Sequence, residues 1–200
     1  MFTNVARSNM TARIRIPQKE NCLRIFSYLL LTILLIAGPS SGHTEDFSTS
    51  LKAASAAFAK RDYETAFKLA LPAAEAGNAR AQGFVGSLYS YGRGVPQNYE
   101  LAVKWFRKSA NQGFPASQIA MGDFYLMGIV VEKDEKNAFT WIKKAADQNE
   151  GLALFRVAQM YRAGVGVEKD VDKANEYEAL ANQQAEDILG NWPTAKKGNP

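Results

Sequence analysis

Apolar residues recur along the chain with the spacing of an amphipathic helix rather than the alternation of a strand. Between Asn78 and Gly92, and again between Asn98 and Gly113, they fall three or four residues apart on one stripe. The first stripe consists of Ala81, Val85, Leu88 and Tyr89, and the second of Tyr99, Ala102, Trp105, Phe106 and Ala110. The two segments therefore predict two helices joined by a short connection.

Polar residues and glycines mark the ends of these two helices. Asn78 and Asn98 stand where an N-cap side chain accepts a hydrogen bond from an unpaired backbone N–H. Gly92 follows the last apolar residue of the first helix, where glycine takes the left-handed conformation at little cost. Gly92 and Gly94 form a Gly-x-Gly segment, but this segment joins helix to helix, whereas a phosphate-binding loop of the usual kind follows a strand. We interpret it as a structural joint.

The two-helix unit recurs at a spacing of 36 residues from Asp62 to Gln184, with no insertion or deletion. The aligned columns include Tyr89, Tyr125 and Tyr161; Gly92, Gly128 and Gly164; Ala66, Ala102, Ala138 and Ala174; and the N-cap residues Asp62, Asn98, Asp134 and Asp170. A single helix pair cannot bury its apolar stripe, so repeated pairs stack and share a continuous core. The pattern predicts an all-α solenoid of about four antiparallel helix pairs.

The repeat also predicts the domain boundaries. The first pair lacks the long joint and turns tightly at Lys60-Arg61-Asp62, and the last pair ends near Ala185. We therefore expect a repeat domain over residues 43–185 and a flexible tail over residues 186–200, which is rich in glycine, proline and lysine. Trp192 either folds back over the open end of the array or belongs to a loose tail.

Residues 1–42 have the pattern of an export segment. Five of the 24 basic residues and only one of the 20 acidic residues lie in residues 1–24, and an uncharged apolar run from Ile25 to Ala37 follows. Small residues then lead to Gly42, after which we predict signal-peptide cleavage and a periplasmic or secreted product. The run is shorter than the ~20 residues of a comfortable membrane span. An uncleaved N-terminal anchor is the alternative, and Met10 is an alternative start.

Charge and composition narrow the possible functions. Beyond residue 24 the chain holds 19 basic and 19 acidic residues, so the basic sequence pI of about 9.1 belongs to the export segment. This removes the electrostatic argument for a nucleic-acid partner. The only cysteine, Cys22, precedes the cleavage site and the only histidine, His43, follows it directly. The usual metal ligands and general base are therefore scarce, and we expect no metal, no cofactor and no catalytic residue.

The segment from Gly77 to Gly113 resembles the Sel-one-like repeat family (SLR), a branch of the tetratricopeptide (TPR) superfamily. It carries the family's Ala-Gln, Leu-Tyr, Gly-x-Gly-Val, Asn-Tyr and Trp-Phe landmarks in order. The second and third copies match more loosely, since Leu154 replaces the glutamine and Ala158 a glycine. The resemblance covers about Phe47 to Gln184 and implies a right-handed α-solenoid.

The resemblance to TPR proteins also implies a peptide-binding groove on the concave side, lined by the first helix of each pair. The residues predicted to face it are Arg80, Ser87 and Tyr91 in one unit, Ile119, Asp123 and Met127 in the next, and Phe155, Gln159 and Arg162 in the third. The competing interpretation places Ile119 and Phe155 in the core and leaves the arginines in solvent.

These features favour an exported, non-enzymatic and monomeric module that binds a protein or an extended peptide and meets a membrane only through an uncleaved leader. A glycan- or peptidoglycan-associated module, with exposed aromatics such as Tyr91 stacking on sugars, is one alternative. A β-lactam-binding, hydrolase-like protein is another, implied by disulfide-rich relatives within the family. This chain lacks their cysteines, so the second alternative is the weaker one.

Overall fold

The computed structural model describes the backbone of residues 43–190 and the side chains of residues 47–187. The predicted export segment and the chain after residue 190 lie outside the described residues. Eight helices and no strand occur in the described range. The helices are α1 (His43–Ala59), α2 (Tyr63–Glu75), α3 (Ala79–Tyr91), α4 (Tyr99–Asn111), α5 (Pro115–Met127), α6 (Glu135–Ala146), α7 (Gly151–Ala163) and α8 (Val171–Gly190). This confirms the all-α repeat fold, and no helix in this range is long and apolar enough to span a membrane.

The helices form four successive pairs, α1–α2, α3–α4, α5–α6 and α7–α8. From α2 onward each helix contacts the next along the chain, and α1 packs on α2 through the rings of Phe58 and Tyr63. The second helix of every pair begins at a side-chain cap, as the sequence predicts. The capping oxygens of Asp62, Asn98, Asp134 and Asp170 accept hydrogen bonds from the backbone N–H three residues on, at 2.9–3.2 Å. The pKa of Asp134 is lowered mainly because its carboxylate accepts a hydrogen bond from the backbone N–H of Asn137. The pKa of Asp170 is lowered in the same way by the backbone N–H of Lys173.

The joints between paired helices require left-handed backbone conformations. Gly92, Gly128 and Gly164 end their helices at φ of 62°, 66° and 74°. Gly94 packs so closely that a Cβ there would collide with the carbonyl of Tyr63. Val130 holds the corresponding position in the middle unit at φ 66°, which is unusual for a β-branched residue.

Small residues allow the helices to approach closely in the core. The alanine column, Ala66, Ala102, Ala138 and Ala174, is fully buried. Gly86 lies against the ring of Phe106, and a Cβ at Gly122 would collide with Cγ1 of Ile142. The large fully buried side chains, among them Leu88, Met121 and Ile142, fill the remaining space. The small residues that align between repeats in the sequence therefore lie at the contacts between neighbouring helices, which we call seams.

Buried glutamines form hydrogen bonds across these contacts between helices. The amide of Gln82 donates to the carbonyl of Ala74 at 3.1 Å and accepts from Gln112 at 2.7 Å. Gln118 repeats this arrangement 36 residues later with Ala110 and Gln148. Each of these buried glutamines therefore connects the end of the preceding pair to both helices of its own pair.

The last pair departs from the pattern in two ways. Leu154 replaces the buried glutamine, and the amide of Gln184 donates instead to the carbonyl of Asn149. Helix α8 continues to Gly190, past Ala185, where the sequence placed the end of the repeat domain. The remainder of the predicted tail, including Trp192, lies outside the described residues.

The contact between Gly122 and Ile142 predicts a non-additive pair of substitutions. Gly122→Ala should lower the free energy of unfolding by ~1–3 kcal/mol, because the methyl group overpacks the seam. Ile142→Ala should lower it by ~2–5 kcal/mol by opening a cavity. The double variant should lose less than the sum, since the new methyl group occupies part of that cavity. Denaturant unfolding followed by circular dichroism measures all three.

Ala158→Gly provides the matched control, because Ala158 occupies the Gly122 position in the last unit and Glu178 occupies the position of Ile142. This change should cost about 1–2 kcal/mol, because it combines the ~1 kcal/mol of a glycine within a helix with the loss of one fully buried methyl group. Strict additivity of Gly122→Ala and Ile142→Ala would show that the two side chains do not share a packing constraint.

Candidate interaction groove

A groove of about 480 Å³ crosses the first helices of all four pairs. Its lining residues come from α1, α3, α5 and α7, from Phe114 just before α5, and from one side chain of α4. We call this cavity the first-helix groove. Gly83 contributes to it by allowing α3 and α5 to approach, since a Cβ there would lie 2.6 Å from the hydroxyl of Ser117.

The first-helix groove combines an apolar surface with a few charged groups. Phe84, Phe114, Ile119 and Leu152 supply large apolar side chains, and Leu152 is 53% exposed. Arg80, Asp123 and Arg156 supply the charges, and Ser87 and Tyr91 supply hydroxyl groups. A predominantly apolar concave surface with a small number of polar groups is typical of binding sites.

Two further cavities adjoin the first-helix groove. A cavity of about 500 Å³ between α1 and α3 is lined by Lys52 and Ser48, among others, and shares Ser55 and Arg80 with the groove. A cavity of about 360 Å³ between α5, α6 and α7 is lined by Gln159 and Met160 and shares Arg156. The three cavities therefore follow one another along the array.

The structure brings most of the predicted groove residues to this surface. Arg80, Ser87, Tyr91, Ile119 and Asp123 line the first-helix groove, and Gln159 lines the adjoining cavity. Ile119 is only 6% exposed and belongs to the hydrophobic core as well. Met127 and Phe155 line none of these cavities, but both are exposed on first helices, at 57% and 43%.

Arg162 occupies a different place from the other predicted residues. Its guanidinium donates to Glu178 at 2.6 Å and to Asn175 at 3.1 Å, and both acceptors lie on α8. Asn175 and Glu178 stand where the inner pairs carry apolar residues, Phe139 and Ile142. Arg162 therefore binds the polar face of the terminal helix.

Other charged groups near the groove also have partners within the chain. Asp123 on α5 and Arg156 on α7 form an ion pair, with each side chain about one-third exposed. The guanidinium of Arg93 lies 5.2–5.4 Å from the ring centroids of Phe58, Tyr63 and Tyr91. Arg93 thus makes a cation–π contact with the exposed ring of Tyr91 and helps to hold that ring in place.

Sequence reasoning missed several residues of the groove, notably Phe84, Leu152 and Arg156. Phe84 lies four residues after Arg80 and therefore on the same face of the helix, so the helical spacing could have predicted that it lines the groove. Arg156 belongs to the same column two units later. The contact of Asp123 with Arg156 joins residues 33 positions apart, and no local pattern indicates it.

The fold and the groove define an α-solenoid built from repeated helix pairs. A family model of the Sel1 repeat matches residues 55–78, 79–114, 115–150 and 151–183, which together make up more than half of the chain. The protein belongs to the Sel1 repeat family, and proteins built from these repeats are generally protein-interaction scaffolds. No curated protein matches the sequence.

Solved structures share the fold. A Sel1 repeat protein from Oxalobacter formigenes is 29% identical with a TM-score of 0.63, over 67% of this chain and 53% of that one. A protective antigen of uropathogenic Escherichia coli with an SLR fold is 29% identical with a TM-score of 0.58, over 63% of this chain and 27% of that one. Cysteine rich protein B of Helicobacter pylori, at 24% identity and a TM-score of 0.51 over 64% of this chain and 95% of that one, shows the fold alone. The chain thus spans about half the length of the Oxalobacter protein and about a quarter of the Escherichia one.

The contacts of Arg162 predict a stability effect confined to the end of the array. Arg162→Ala should lower the free energy of unfolding by up to ~1 kcal/mol, the value of a largely exposed ion pair. It should also increase amide hydrogen exchange in α8, because this helix loses a side-chain anchor. Tyr91→Ala is the control and should leave exchange in α8 unchanged. Unaltered exchange in Arg162→Ala would mean that the ion pair does not hold the helix.

Proposed function

We propose that this protein is an exported, non-enzymatic interaction module that holds an extended segment of another protein in the first-helix groove. The observation that carries the proposal is one groove, lined by apolar, hydroxyl and charged side chains, to which the first helices of all four pairs contribute. The charged and hydroxyl groups of this groove, such as Arg80 and Ser87, can form hydrogen bonds that orient a bound chain. The proposal extends to this protein the interaction role that is general among Sel1 repeat proteins.

The distribution of exposed apolar side chains supports this placement. Tyr91 and Leu152 both line the first-helix groove and are 68% and 53% exposed. Clustered exposed apolar residues are costly on a free protein and are typical of interaction sites. Large aromatic side chains of this kind often dominate the binding energy of protein interfaces.

The positions that line the groove change in chemical character between equivalent places in successive units, in contrast to the alanine column of the core. Arg80, Ala116 and Leu152 occupy one column, and Phe84, Ala120 and Arg156 occupy another. The alanine column of the core keeps the same residue in four successive units. Residues that face a partner need not serve the contact shared by all units, so this variation suits a recognition surface.

Site-specific photo-cross-linking in the native cell tests the proposed function. A benzoylphenylalanine side chain at position 91 or 152 should capture the same protein, and the same segment of it, because Tyr91 and Leu152 both line the first-helix groove and are exposed. Position 104, exposed on the second helix α4, is the matched control and should not capture it. Mass spectrometry of the adducts identifies the partner.

The other outcomes of this experiment distinguish the alternatives. An adduct of position 91 with a muropeptide or glycan would replace the protein partner with the glycan-associated function. Capture at position 104 without capture at 91 or 152 would move the interaction to the second helices and refute the groove proposal.

The export part of the proposal predicts a processed product in the periplasm or the medium. The mature chain should begin near His43, because the small residues after the apolar run fit a cleavage site. N-terminal sequencing of the protein from fractionated cells measures this. Intact Met1 on a cytoplasmic protein would refute export, and an intact leader in the membrane fraction would establish the anchor alternative.

A further inference from the structure

The surface formed by the first-helix groove and the adjoining α1–α3 cavity has two chemically different parts. The α1–α3 cavity is lined by two cations, Lys52 and Arg80, with hydroxyl groups from Ser48 and Ser55. No carboxylate is found among its described lining residues. Beyond Arg80 the groove carries the large apolar side chains of Phe84, Phe114 and Leu152, and its two other charged residues, Asp123 and Arg156, neutralise each other. A bound chain that crosses Arg80 therefore passes from a cationic to an apolar environment.

The cations near the groove differ in whether the protein itself neutralises them. Arg156 is paired with Asp123, and Arg162 with Glu178. Arg93 lies over aromatic rings. Within residues 47–187, neither Lys52 nor Arg80 has an ion pair, and both are exposed. Lys52 and Arg80 in the α1–α3 cavity are therefore the cations that remain available to a ligand.

The apolar part offers no corresponding attraction to a cationic ligand. Asp123 is the only carboxylate among the described residues that line the first-helix groove, and it is engaged by Arg156. A lysine or arginine of a bound segment would thus approach Lys52 and Arg80 without a free carboxylate to balance them. Like charges at an interface oppose binding, whereas complementary charges favour the correct partner and its orientation.

We propose that the segment held in the groove is acidic and apolar in sequence. An aspartate or glutamate carboxylate contacts Arg80 and Lys52, and a neighbouring bulky apolar side chain packs against Phe84, Phe114 and Leu152. This inference rests on the proposed function, because it names the chemistry of the segment that the first-helix groove binds. It also orients the segment, with its carboxylate toward α1 and its apolar residue toward α7.

An array of immobilised peptides with blocked termini tests this inference. Each peptide carries a Phe-Leu pair preceded or followed by two acidic, two basic or two neutral polar residues. The probe is the whole protein, expressed from the full sequence and purified with whatever processing of its N-terminus the cell has carried out. Acidic peptides should bind roughly tenfold more tightly than basic ones, with neutral peptides in between. The preference should weaken at high salt, because exposed charges are screened.

Charge reversal of the two cations provides the decisive comparison. Lys52→Glu combined with Arg80→Glu should invert the preference, so that basic peptides bind more tightly than acidic ones. Lys104→Glu combined with Arg107→Glu makes the same change of charge on exposed residues of α4 and should leave the preference unchanged. Thermal melts of both double variants verify that each remains folded.

Each remaining outcome contradicts the inference in a recognisable way. An acidic preference that survives reversal of Lys52 and Arg80 would place the anionic contact elsewhere. Equal binding of acidic, neutral and basic peptides would refute charge selection, and the absence of any peptide binding would refute the acidic-apolar ligand. Cross-linking from position 91 to a protein segment would still support the proposed function in each of these cases, so the two proposals fail separately.

Discussion

The close approach of neighbouring helices is the constraint on which the rest of the structure depends. An alanine column buried throughout the array, together with Gly86 and Gly122, keeps the helix axes near enough for the large core side chains to interdigitate. The backbone carbonyls at the ends of the second helices then come within reach of the buried glutamines. Gln82 and Gln118 bind those carbonyls and satisfy polar groups that would be costly to bury alone. The packing of the core and the hydrogen bonds of the buried glutamines thus depend on the same short distance between helix axes.

The same logic explains how the array ends. Helix α8 retains the buried alanine, Ala174, on the side that faces its own pair. At the positions where α6 carries Ile142 and Ala146, α8 carries Glu178 and Asn182. A further pair stacked there would have to bury these polar groups, so the surface is suited to solvent instead. A terminal unit with a polar outer face is what repeat proteins require for solubility.

The sequence predicted the fold well because the fold is local and repeated. Caps such as Asn98 and left-handed glycines such as Gly92 act within one turn of the chain, and a spacing of 36 residues shows each signal several times. The candidate groove was predicted less completely. The resemblance to TPR proteins implied a groove along the first helices and so placed Arg80 and Tyr91 there. The engagement of Arg162 by α8 depends instead on which residues replace the repeat pattern in the last pair. Contacts between non-equivalent positions leave no periodic trace in the sequence.

In this repeat, the residues that pack the helices together are separate from the exposed residues that line the groove. A substitution at Gly122 or Ile142 alters a seam between helices and therefore affects folding whatever the ligand is. Arg80 and Lys52 are exposed and make no ion pair within the described part of the chain, so their replacement costs the fold little. The charge of the groove is consequently free to change while the stacking contacts remain fixed. Under the proposed function, specificity resides in the first-helix positions that the shared core does not use, and Lys52 and Arg80 beside the apolar side chains of the groove are the clearest example.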